Sequence, residues 1–146
     1  MIVRRNARRP TTPLMDQTEK QHILERLRAH DGIEAAWLFG SLAAGTADAA
    51  SDLDVAVLGK VPLPTSEKQT LIEELAQITG RPVDLIDLQT TRGPIVGRIL
   101  QDGTRLFCDD PPLYAELLKR WWFDQADWMP YRRRILKTRR EQWIER

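Results

Sequence analysis

Apolar residues Ile23, Leu24 and Leu27 recur at helical spacing, and Thr18 followed by Gln21 matches a capping box. This pattern predicts a first helix ending near Ala29, with Gly32 suited to the stop. Ile33 to Phe39 (IEAAWLF) reads as a buried strand. Gly40-Ser41 then turns the chain, Leu42 to Ala44 reads as a short helical turn, and the small, polar run Gly45 to Ser51 as a loop. Asp52 to Leu58 (DLDVAVL) alternates with the period of a strand. After Pro62 and Pro64, a second capping-box match at Ser66 and Gln69 opens a helix. Its apolar face is Leu71, Ile72, Leu75, Ala76 and Ile78, and Gly80 ends it. Val83 to Leu88 (VDLIDL) reads as a third strand. Gly93-Pro94 opens a short helix to Gln101, closed by Gly103, and Thr104 to Cys108 (TRLFC) is a fourth strand. Pro111-Pro112 introduces a long helical tail carrying Trp121, Trp122, Trp128 and Trp143, which Pro130 should kink or interrupt.

The order of elements predicts an α/β fold: a small mixed β-sheet of about four strands packed with helices, plus a C-terminal helical tail. The length of 146 residues fits one domain and supports a core without staples. The expected organisation is a basic, flexible arm over 1–13, a body over 14–110 and the tail over 111–146. One cysteine, Cys108, excludes an internal disulfide framework and a multi-cysteine zinc site. His22 and His30 lie eight residues apart in the first helix, too far to chelate one ion together, and read as structural or surface residues. No apolar run approaches the length of a membrane helix, and no apolar stretch follows the N-terminal arginines, so a soluble, cytoplasmic protein is expected.

A net charge of +1 conceals three unequal parts. Residues 1–13 carry +4 from four arginines, and 131–146 carry +5 from seven basic and two acidic side chains, while the middle carries −8. Basic ends around an acidic body suit a polyanion, an acidic protein or a cation-dependent substrate, although solvated faces produce the same pattern.

The chemistry concentrates in Gly40-Ser41, ten intervening residues, then Asp52-Leu53-Asp54. Residues i and i+2 of a strand share a face, so Asp52 and Asp54 project together while Leu53, Val55 and Val57 face the core. Paired carboxylates repel, and a divalent cation is the natural compensator. Magnesium combines one or two carboxylates with phosphate oxygens and water. A third carboxylate lies in VDLIDL. Asp84 and Asp87 have opposite parity, so only one can face the same site; Asp84, nearer the strand's beginning, is preferred. Glycine permits a tight turn and close backbone approach, and the turn after Gly40, with the Ser41 hydroxyl, offers donors to an anion. Each piece alone is common and has a structural explanation as a strand end or helix cap. In this order they are specific.

Strand, Gly-Ser, turn, strand, Asp-x-Asp and a later strand aspartate together resemble the DNA polymerase beta-like nucleotidyltransferase superfamily, over about residues 20–108. The small size is similar to its minimal branch, the MNT proteins, which commonly act as antitoxins beside HEPN-type RNase toxins. The resemblance implies a polymerase beta-like nucleotidyltransferase core in which Gly40 and Ser41 hold a triphosphate. It further implies that Asp52 and Asp54 hold two Mg2+ ions, and that Asp84 helps bind metal and activate the attacking hydroxyl. The reaction implied is transfer of AMP from ATP to a tyrosine hydroxyl of a partner HEPN RNase toxin, in a hetero-oligomer with that toxin. The absence of a G-x-x-x-x-G-K-[ST] P-loop agrees with nucleotidyl rather than γ-phosphoryl transfer.

Three other readings stand beside this one. Relatives that modify small molecules such as aminoglycosides are usually longer, whereas only about 35 residues follow the sheet here. A non-catalytic antitoxin would act through the Trp- and Arg-rich tail by binding alone. Nucleic-acid binding by the basic ends, which predicts steep salt dependence, is not expected as the main function. Lys68, Arg92 and Arg98 are candidate triphosphate contacts that no pattern separates. Arg132 to Arg134 and Arg139-Arg140 could face RNA, ATP phosphates or an acidic partner. Trp121, Trp122 and Trp128 suit packing or an interface, and Cys108 a core thiol.

Overall fold

A computed structural model describes residues 16–40 and 51–126. Ser41, the turn and loop over residues 42–50, the N-terminal arm, Trp128, Pro130, Trp143 and the tail arginines from Arg132 onward lie outside the described residues.

Helix α1 spans Gln17–Arg28. Its cap is Asp16, whose carboxylate accepts the Glu19 N–H at 2.8 Å. The expected Thr18/Gln21 capping box is therefore not the start of the helix: Asp16 satisfies the free amide first. Strand β1 is Ala35–Phe39 and β2 is Leu53–Leu58. Helix α2, Thr65–Thr79, also begins before its predicted box. Pro64 precedes it with φ preset at −59° and no side-chain cap, and the Lys68 N–H donates to the Pro64 carbonyl at 3.0 Å. Strand β3 is Val83–Asp87, α3 is Pro94–Asp102 and β4 is Thr104–Cys108. Residues 111–126 are helical and form α4.

The four strands form one mixed sheet in the order β3-β2-β1-β4. β1 runs antiparallel to both β2 and β4, while β2 and β3 are parallel. A parallel pair needs a long crossover, which α2 supplies. Helices cover both faces. On one, Ile23 and Leu27 of α1 and Leu71 and Leu75 of α2 pack on Leu38, Leu53, Val55, Val57 and Leu85. On the other, Val96 and Ile99 of α3 and Leu117 of α4 pack on Trp37, Ala56, Leu58 and Leu88. Ile23, Leu27, Leu71 and Leu75 are fully buried, each contributing about 1.5–3 kcal/mol relative to exposure.

The first part of the expected tail thus belongs to the core. Leu117 is buried, Leu113, Tyr114 and Trp121 pack beside it, and Trp37 meets Tyr114 with ring centroids 5.7 Å apart. The Arg120 guanidinium ties α4 to the turn after β3, donating to the Leu88 carbonyl at 2.6 Å and the Thr91 carbonyl at 3.3 Å.

Candidate active site

Burial on both sheet faces leaves one end of the β2–β3 pair for chemistry. Leu53, Val55 and Val57 project into the α1/α2 layer, so Asp54 falls on the opposite face. Further along that face Ala56 and Leu58 are buried under α3 and α4, so only its first position is open to solvent.

The parallel register places Asp84 directly beside Asp54, on strands about 4.8 Å apart. Asp52 stands exposed just before β2. Burial raises the Asp54 carboxyl above its ordinary pKa, and the charges of Asp84 and then Asp52 raise it further. The three predicted carboxylates therefore share one electrostatic neighbourhood.

Asp87 does something else. It pairs in register with Val57 on the α1/α2 face and is 4% exposed. Its carboxylate accepts the Leu63 N–H at 2.8 Å and the Gln89 N–H at 2.9 Å. It is committed to holding two chain segments.

Gly40 closes the site from β1. It follows Phe39, the register partner of Asp54, and has φ +74°, the left-handed region that favours glycine. A Cβ built on Gly40 would collide with the Asp54 carboxylate. The glycine thus provides the space that the carboxylate occupies.

Among the described residues, no three His, Cys, Asp or Glu side chains are gathered as a ready metal cage. The arrangement is two facing strand carboxylates with a third at the mouth of β2. It fits a magnesium ion that takes one or two protein carboxylates and completes its shell with phosphate oxygens and water. Of the candidate triphosphate contacts, Arg92 instead donates to Asp124 at 2.8 Å.

The sequence profile described as "Polymerase beta, Nucleotidyltransferase" matches residues 21–112, spanning β1 through β4. The chain belongs to the polymerase beta nucleotidyltransferase family. Among its relatives, protein adenylyltransferase MntA of Shewanella oneidensis is 30% identical over 94 residues, covering 64% of this chain and 68% of that protein. The fold is that of solved family structures. A toxin–antitoxin crystal structure with AMP-PNP superposes with TM-score 0.66 at 22% identity, over 84% of this chain and 99% of that one. A complex of tri-AMPylated Shewanella oneidensis HEPN toxin with MNT antitoxin gives TM-score 0.63 at 22% identity, over 82% and 98%.

Two features of the site have no clear signal in the sequence. One is Arg81, whose Nη1 donates to the Ser51 carbonyl at 2.9 Å from a largely buried position. Its place between a helix-ending glycine and a proline reads only as a turn. The other is the capping role of Asp87, which follows from strand parity only once the α1/α2 layer is known to cover that face.

Proposed function

We propose that this chain transfers AMP from ATP to a tyrosine hydroxyl of a partner HEPN-type RNase toxin, silencing it as the antitoxin of the pair. The observation that carries the reading is the facing Asp54–Asp84 pair beside the Gly40 turn, in a family member whose relative is a protein adenylyltransferase. Structural neighbours containing AMP-PNP, or an AMPylated HEPN toxin with an MNT antitoxin, support the nucleotide and the partner. This chain covers nearly the whole length of those neighbours. The reaction places the protein in the cytoplasm, with ATP and the toxin, as one subunit of a hetero-oligomer.

In this reading Asp52 and Asp54, with Asp84, would hold Mg2+. When bound, the metal offsets the charge of the triphosphate and of the leaving pyrophosphate. Gly40 and Ser41 bind the phosphates. The Asp84 carboxylate accepts the proton of the tyrosine hydroxyl. The hydroxyl oxygen bonds to the α-phosphorus as the bond to the bridging oxygen breaks, and pyrophosphate departs with that electron pair.

The test is incubation of the chain and its HEPN partner with labelled ATP and Mg2+. Label is expected on a toxin tyrosine, with none after EDTA. Asp52→Ala and Asp54→Ala should each lower transfer at least about a hundredfold, since outer-shell partners of a metal are already worth about 10–100-fold. Undiminished transfer by either variant overturns the catalytic reading. Full rescue of cells by the Asp52/Asp54 double variant would instead establish neutralisation by contact.

A further inference from the structure

The chain on either side of Asp52 is fastened to a single turn, Arg81-Pro82, that leads directly into β3. Arg81, between α2 and β3, is 8% exposed, and its Nη1 donates to the carbonyl of Ser51 at 2.9 Å. Two positions on, the Leu53 N–H donates to the carbonyl of Pro82 at 2.8 Å. Asp52 lies between these two bonds. The turn itself is pinned to the end of α2: the Arg81 N–H donates to Thr79 Oγ1 at 3.2 Å, and that hydroxyl donates to the Leu75 carbonyl at 2.9 Å.

A guanidinium is always charged and is rarely buried unless its donors are used. Among the described residues, Arg81 and Asp87 are the buried charged side chains. Asp87 is accounted for by the two amides it caps. Arg81 directs a donor at the backbone immediately preceding the Asp-x-Asp pair. The Leu53–Pro82 bond is part of the parallel β2–β3 pairing and fixes only the downstream side of Asp52. The Arg81 bond adds the upstream constraint and so restricts the direction in which the Asp52 carboxylate leaves the backbone.

We propose that Arg81 is a positioning residue for Asp52, holding the mouth of β2 so that the Asp52 and Asp54 carboxylates present together to one divalent cation. The inference rests on the reading of those aspartates as metal ligands and adds a determinant of cation affinity outside the ligand set. Arg81 acts through the Ser51 carbonyl, without touching substrate.

The experiment is Mn2+ binding to the full chain, read by electron paramagnetic resonance, for wild type, Arg81→Met, Arg81→Gln, Arg81→Lys and Asp54→Asn. Removing a support of this kind is expected to raise the Mn2+ dissociation constant about tenfold in the Met and Gln variants. Arg81→Lys, which keeps a cationic donor, should recover part of that loss. The Mg2+ concentration that half-saturates AMP transfer should rise in parallel, while the KM for ATP at saturating Mg2+ stays unchanged. Should Arg81→Met fail to fold, Arg81→Gln is read in its place: it keeps a polar side chain, but its amide nitrogen falls two bonds short of the Nη1 that reaches the Ser51 carbonyl. Wild-type Mn2+ affinity in either folded variant overturns the role of Arg81, provided Asp54→Asn has lost affinity. Wild-type affinity in Asp54→Asn overturns the carboxylate reading itself, and the Arg81 inference with it.

Discussion

The Asp54 carboxylate occupies the space that a side chain on Gly40 would fill. The two residues meet because Phe39 and Asp54 are register partners and the chain turns at the next position with φ +74°. Gly40→Ala therefore brings two penalties at once. The left-handed backbone costs about 1–2 kcal/mol for a residue with a Cβ, and the new methyl displaces the carboxylate. The expected outcome is a modest fall in stability by denaturant titration with a disproportionate loss of AMP transfer. A variant that loses stability but transfers AMP at the wild-type rate would show that the contact is only structural.

Asp54 also predicts a pH dependence whose sign is opposite to that of a salt-bridged carboxylate. Its folded pKa is raised by burial and by Asp84 and Asp52, so the native state holds the proton more tightly than the unfolded chain. Its stabilising contribution is full below the unfolded value of about 3.9 and is lost as pH rises through the folded value. Above that window the ionised carboxylate opposes folding. Asp54→Asn should raise the melting temperature at pH 7 in metal-free buffer. The gain should shrink near pH 4 and on adding millimolar Mg2+ to both proteins. A gain independent of pH and of Mg2+ would refute the electrostatic origin.

Much of this arrangement is legible in the chain. Alternation in DLDVAVL and the Thr104–Cys108 run mark β2 and β4, and the spacing from Gly40 to Asp52 points to the candidate site. Helix starts are less legible because several residues can satisfy the same amides: Asp16 takes the place expected of Thr18, and Pro64 leads α2 without a side-chain cap. Strand pairing is long-range and has no local signature. The preference for Asp84 over Asp87 therefore needs the register, which sets Asp84 beside Asp54 and Asp87 beside Val57. Arg81 is hidden for the same reason, since its acceptor lies thirty residues away in sequence.

The two aspartates of β3 should separate chemistry from stability. Asp84→Ala removes a solvent-exposed carboxylate beside Asp54, so it should leave folding nearly intact and abolish most AMP transfer. Asp87→Ala strips a buried acceptor from the Leu63 and Gln89 amides. Leaving such groups unpaired should cost about 3 kcal/mol, while the residual folded protein keeps its turnover per folded molecule. Parallel measurement of unfolding free energy and AMP transfer for both variants checks the division. An Asp87→Ala protein that folds normally but is inactive would reverse the assignment.

Gly97 sets how closely α3 and α4 approach. A Cβ there would lie 2.9 Å from the Trp121 indole Nε1 and 3.2 Å from its Cζ2, closer than packed atoms tolerate. The indole cannot retreat freely, because Trp121 packs with Leu117, Val96 and Ile99 on the Trp37 face of the sheet. Gly97→Val should lift α4 and destabilise the fold by about 1–3 kcal/mol, the usual cost of overpacking. Its effect should reach the Arg120 bonds to Leu88 and Thr91, which link the same helix to the turn following β3. A double variant with Trp121→Ala restores the space, so its stability loss should be smaller than the sum of the two single losses. Additive losses in that cycle would show that Gly97 and Trp121 contribute independently and that another constraint sets the helix spacing.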